Sequence, residues 1–172
     1  MSHIAIHTVA TVKKSLNSLV GILEKVPEFL IENNISEEEL LSSRLADDML
    51  PFSKQIQIAS DNGKGIVSRL SGTTNPTMID DEKTIHELIN RLKKTIEYMD
   101  SVSDEQYDGF ENRKAIFPFM PGKFAKAMDY LVEYAIPNFY FHYVTAYAIL
   151  RNKGMKLGKM DFIGGFALYD IE

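Results

Sequence analysis

The strongest constraint on this chain is a spacing. Over residues 9–30 the apolar side chains Val9, Val12, Leu16, Leu19, Leu23, Val26 and Leu30 advance by alternating steps of three and four. That rhythm draws one apolar stripe along a helix, whereas a strand would need a period of two. The rhythm returns at Met49, Phe52, Ile56, Ala59, Gly63, Ile66 and Leu70, and Ile85, Leu88, Leu92, Ile96, Met99 and Val102, in steps of three or four, share one helical face. A fourth stretch, residues 124–152, carries it through Phe124, Met128, Leu131, Ala135, Asn138, His142, Thr145 and Ile149. Four amphipathic helices can bury their stripes only against each other. The predicted fold is therefore all-α, a four-helix bundle with short extra helices.

Local signals punctuate the pattern. Pro27 should bend the first helix, because proline lacks a ladder donor and crowds the preceding turn, and Asn33-Asn34 should close it. Ser36 followed by Glu39 reads as a capping box for a short helix through residue 43. Gly63 and Gly65 lie within the second helix, each at a cost of about 1 kcal/mol in propensity, which points to a neighbouring helix passing very close. Gly72 ends that helix, and Asp80 and Asp81 are placed to cap the third. Ser103 with Gln106 is a second capping box, for a turn ending at Gly109. Residues 110–124, broken by Pro118 and Pro121-Gly122, predict a small extended excursion with a turn before the last long helix. Pro137 interrupts that helix, Gly154 stands where a C-cap belongs, and the glycine-rich aromatic tail over 157–166 should strap across the bundle.

The length, 172 residues, suits a single domain over 1–172 with a sizeable core. Nineteen basic against 24 acidic residues give a net charge of −5, which disfavours nucleic acid as a partner. Zero cysteine removes disulfides, thiolate zinc sites and cysteine nucleophiles, and fits a reducing, cytoplasmic setting. Met1-Ser2-His3-Ile4 does not resemble a secretory leader. Residues 130–150 are apolar, but Glu133, Pro137, Asn138, His142 and Thr145 interrupt them, so a buried helix is expected and no membrane span.

Three successive stripe positions of the fourth helix are polar: Asn138, His142 and Thr145. Buried polar groups without partners cost about 1–3 kcal/mol each, so these three need partners, and the second helix offers Ser53, Gln55, Ser60 and Asn62. Phe139, Tyr140, Phe141, Tyr143 and Tyr147 could wall a pocket around them. Either this is a satisfied polar network that fixes helix register, or it is a ligand or catalytic pocket with His142 as acid or base and Asn138 and Thr145 orienting the substrate. His3, His7 and His86 do not join it by spacing. The one His-x-x-x-His pair, His3 and His7, lies in the first turns of the chain, away from the polar run of the fourth helix, and no His-Glu-x-x-His or carboxylate-x-x-His pair occurs. Asp47-Asp48 suits a helix start better than a catalytic pair, and Gly63-Lys64-Gly65 lacks phosphate-loop spacing. No Gly-x-Ser-x-Gly elbow is present.

The run Pro137-Asn138-Phe139-Tyr140-Phe141-His142, followed by residues 145–151, Gly154, Leu157-Gly158-Lys159 and Asp161-Phe162, resembles an uncharacterised bacterial family. Leu45-Ala46-Asp47-Asp48-Met49, Pro51-Phe52 and residues 55–59 resemble its second block. This is the domain-of-unknown-function family nineteen ninety-three, within the DinB-like or YfiT-like superfamily associated with metalloenzymes. The resemblance implies a DinB-like four-helix bundle, often a homodimer. It also implies a divalent metal, zinc or nickel, held by one histidine of the second helix and a His-x-x-x-His pair of the last. That pair would fall on Asn138 and His142, and the third ligand near Ser60, with Gln57 or Asp61 as substitutes. Only His142 matches the pattern, and asparagine and serine are poor ligands for such metals.

The expectation is a protein that binds a small molecule in a core pocket of Asn138, His142, Thr145, Ser60, Gln57 and Tyr143, with no tightly bound metal or other cofactor. His142 is the best candidate for catalysis and the one weak candidate for metal, and whether the protein is an enzyme stays open. The alternatives are a metal- or thiol-dependent transferase of the DinB-like type, and a structural or interaction protein with a sealed polar core.

Overall fold

A computed structural model describes residues 2–171. The four long helices are α1 (Ser2–Leu23), α4 (Phe52–Ser71), α5 (Ile85–Asp100) and α7 (Ile136–Asn152). Shorter helices are α2 (Val26–Asn33), α3 (Glu37–Ser42), α6 (Ala127–Asp129) and α8 (Lys159–Ile163). Helix α4 is the central member and packs against α7, α5 and α1. The stripe residues fill the core as their spacing requires: Leu16, Leu19, Ile56, Ala59, Ile66, Leu88 and Leu92 are fully buried, each large side chain contributing about 1.5–3 kcal/mol.

Pro27 turns the expected bend into a break. Helix α1 stops at Leu23, and the proline occupies the first turn of α2, where a missing amide costs nothing. Asn34, at φ 53°, supplies the left-handed cap that ends α2. Ser36 caps α3 by accepting from the Glu39 amide at 3.1 Å. Gly63 marks the predicted close approach, since a Cβ there would sit 3.0 Å from Leu16 Cδ1 and 3.5 Å from Thr95 Cγ2.

Two helix starts differ from expectation. Helix α4 begins at Phe52 behind Pro51, after Asp47-Asp48 and Met49 have been used in a turn. Helix α5 is capped by Thr84, whose hydroxyl accepts from the Glu87 amide at 3.1 Å while Glu87 accepts from the Thr84 amide at 3.0 Å. Asp80 and Asp81 therefore do not cap α5. Asp80 instead binds Lys54 at 3.0 Å and Arg91 at 2.9 Å.

The extended excursion is an antiparallel hairpin of β1 (Lys114–Ile116) and β2 (Phe124–Lys126), with Ala115 opposite Ala125. The chain then runs through α6 into a π-helical segment, Tyr130–Ala135, directly before α7. Pro137 accounts for it: its ring cannot donate to, and crowds, the carbonyl one α-turn back, and a wider turn relieves that crowding. The tail straps the bundle through α8. Lys25 binds Asp161 at 2.6 Å, and the Phe162 ring stacks on Tyr143 with centroids 4.1 Å apart. No helix among the described residues is long and apolar enough to cross a membrane.

Candidate functional site

Helices α4 and α7 run antiparallel and meet through two polar rungs. Gln55 Oε1 lies 2.7 Å from His142 Nδ1, and Asn138 Nδ2 donates to Asn62 Oδ1 at 2.9 Å. The first rung fixes a tautomer. Gln55 Nε2 is committed to the Leu50 carbonyl at 2.8 Å, so Oε1 faces the imidazole as an acceptor and Nδ1 carries the proton. Burial pushes the His142 pKa below the ordinary histidine value, and only 8% of the residue is exposed. The ring is neutral at neutral pH.

The other predicted residues do not gather around it. Thr145 turns back onto its own helix and donates to the Phe141 carbonyl at 2.6 Å. Tyr143 donates to the Phe162 carbonyl at 2.6 Å, and burial holds its phenol well above the usual tyrosine range. Ser60 faces away from α7: its hydroxyl lies 2.8 Å from Thr95 Oγ1 and accepts from Arg91 Nε at 3.2 Å, both on α5. Gln57 Nε2 donates to Glu82 at 2.7 Å, while its Oε1 is buried without a partner among the described residues.

Ser60 and Gln57 belong to a charged hub that pins the long connection between α4 and α5. The Arg91 side chain is 2% exposed and reaches Asp61 at 2.8 Å, Asp80 at 2.9 Å and Glu82 at 2.9 Å. Lys64 adds ion pairing to Asp61 at 3.0 Å and donates to the Pro76 carbonyl at 2.8 Å. Burial works against the Arg91 charge, but the Glu82 hydrogen bond and the neighbouring carboxylates outweigh it and raise the pKa. Burial likewise favours the neutral form of Asp80, but the Lys54 hydrogen bond and Arg91 hold its carboxyl below the usual value.

This donor set does not fit a divalent-metal centre of the superfamily type. Asn138 and His142 are each engaged with α4 side chains, Ser60 is on the wrong face, and Asp61 is neutralised by two cations. Among the described residues no three His, Cys, Asp or Glu side chains are placed to hold a metal ion.

Five of the clefts that open on the described residues measure about 200 to 570 Å³, and His142 lines none of these five. The Asn138 rung does. It borders a groove of about 250 Å³ between α4, the hairpin and the π segment, lined by Asn62, Arg69, Asn75, Phe117, Tyr130 and Tyr134 among others. The Arg69 guanidinium lies 5.1 Å from the centre of the Phe117 ring and 5.3 Å from that of Tyr130. Burial raises the Tyr130 pKa, with Arg69 opposing it. Sequence reasoning missed Arg69 and these rings. The available signals were Gly65, one turn before Arg69, and Pro137, just beyond the π segment that presents Tyr130 and Tyr134.

The family model for the domain of unknown function DUF1993 matches residues 6–163. Among solved structures, a DinB family member protein from Shewanella denitrificans is similar at 32% identity, with a TM-score of 0.92 and 99% of each chain covered. No curated protein matches the chain. The match over nearly the whole length, on a mostly helical bundle of DinB type, places the chain in the DUF1993 family.

Proposed function

We propose that this DinB-like protein binds a small molecule in the groove at the Asn138 end of the α4–α7 seam, without a tightly bound metal. The observation that carries the reading is the combination of a half-buried, ring-stacked Arg69 with the Asn62–Asn138 amide pair in one concave surface. Aromatic rings on one side and convergent polar groups on the other can both hold and orient a small molecule, and π segments recur at functional sites. Under this reading the His142–Gln55 rung is a sealed register device that positions α7 against α4, and the pocket lies next to it along the seam.

The test is a thermal-shift panel of small organic acids, thiols and divalent metals. An organic ligand should raise Tm in the native protein and in His142→Leu, and lose its effect in Asn138→Leu. A shift produced by zinc or nickel and abolished in His142→Ala would favour the metal-dependent transferase instead. The reading extends to a homodimer in the cytoplasm. Exposed Phe141 and Val144, three residues apart on α7, support self-association, and the cysteine-free composition supports the compartment. A monomer at all concentrations by sedimentation would remove the dimer.

A further inference from the structure

The charges of the groove point to a ligand chemistry. We infer that it takes a small monocarboxylate with a flat apolar body, an inference that rests on the groove being the ligand site. Two cations line the groove, and only one is available. Lys64 is tied to Asp61 at 3.0 Å and to the Pro76 carbonyl at 2.8 Å. Arg69 has no carboxylate partner among the described residues. Its Nη1 contacts the Gly65 carbonyl at 3.1 Å and the Tyr130 hydroxyl at 3.5 Å, its Nε contacts the Ile116 carbonyl at 3.4 Å, and Nη2 has no partner among those residues. A planar cation set against two neighbouring rings, with one free edge, is suited to receive a planar anion.

The walls set the rest of the ligand. Phe117, Phe119, Tyr130 and Tyr134 line both this groove and an adjoining, almost wholly apolar cleft of about 200 Å³. Phe119 stands on the hairpin turn with 63% of its surface exposed, where an apolar body would cover it. The groove volume, about 250 Å³, falls below the roughly 300–1,000 Å³ of drug-sized sites, so a single ring is the right scale. Asp61 also lines the groove but is paired with Lys64 and Arg91, which leaves Arg69 as the one cation for the ligand and suits a single carboxylate.

Benzoate is the probe, and benzyl alcohol its uncharged counterpart. Both are titrated into the full chain by calorimetry and by the side-chain amide NMR signals of Asn62, Asn75 and Asn138. Benzoate should bind, benzyl alcohol should bind at least about tenfold more weakly, and Arg69→Gln should weaken benzoate by about 10- to 100-fold and bring the two probes level. Should Arg69→Gln fail to fold, Arg69→Lys keeps the charge without the planar fork and should still lose about tenfold. Equal binding of both probes at the groove amides would overturn the carboxylate assignment while leaving the groove as the ligand site. If neither probe moves those amides, the carboxylate and the groove reading fall together.

Discussion

Removing one side of the His142–Gln55 rung should cost far more than removing both. In Gln55→Leu the Nδ1 proton of an imidazole only 8% exposed faces carbon, and an unsatisfied buried donor costs about 1–3 kcal/mol. The Leu50 carbonyl, released at the same time, belongs to a residue 45% exposed and can turn to water. His142→Leu strands Gln55 Oε1 for a similar cost. The double variant replaces the rung with apolar side chains of comparable size, which is nearly neutral. Each single variant should therefore lower Tm by about 4–8 °C for about 2 kcal/mol, with the double close to the native protein and a coupling of about 4 kcal/mol, above the usual range of roughly 0.5–3 kcal/mol. The assay is urea and thermal unfolding of all four proteins at pH 8. Additive singles would refute the rung as a stabilising pair, and a neutral or stabilising His142→Leu would mark the histidine as a functional group held at a cost to stability.

The remaining expectations probe other parts of the same structure. Because burial lowers the folded-state pKa of His142, the unfolded chain takes up its proton first; this contribution to stability is complete above about pH 6.5 and is lost as pH falls toward the lowered value, and His142→Leu should remove that component from a pH series of unfolding curves. Arg91→Met leaves Glu82 and its neighbours without their cation and should destabilise by about 3–5 kcal/mol in denaturant titrations; a loss under about 1 kcal/mol would contradict the hub. Gly63→Val, pressed against Leu16 and Thr95, should cost about 1–3 kcal/mol, and an unchanged midpoint would contradict the close helix approach. Protein purified without a histidine tag should carry substoichiometric zinc and nickel by elemental analysis, and stoichiometric metal that disappears in His142→Ala would contradict the poor fit of the donor set.

The helices were legible because their stripes obey a local rule, and so were the Gly63 contact, the Ser36 cap and the hairpin before α7. The partners of α4 were not. Gln55, Gln57, Ser60 and Lys64 are all buried because α4 has neighbours on several sides, and a single stripe does not say which neighbour each flank meets. Ser60 flanks the stripe toward α5, Asn62 flanks it toward α7, and only the packed bundle separates them. Asp80 had the residue type of a cap, but a buried Arg91 has a stronger need for a carboxylate than a helix start that Thr84 and Glu87 already satisfy. The groove is harder still to read, because Arg69, Phe117 and Tyr130 come from three segments that no local spacing joins.

A crystal structure of the protein soaked in benzoate tests the central claim most directly. The account predicts density beside Arg69 and Asn138, against Phe117 and Tyr130, with the His142–Gln55 hydrogen bond intact. Density at His142 with Gln55 displaced, or a metal ion coordinated by His142, would contradict it.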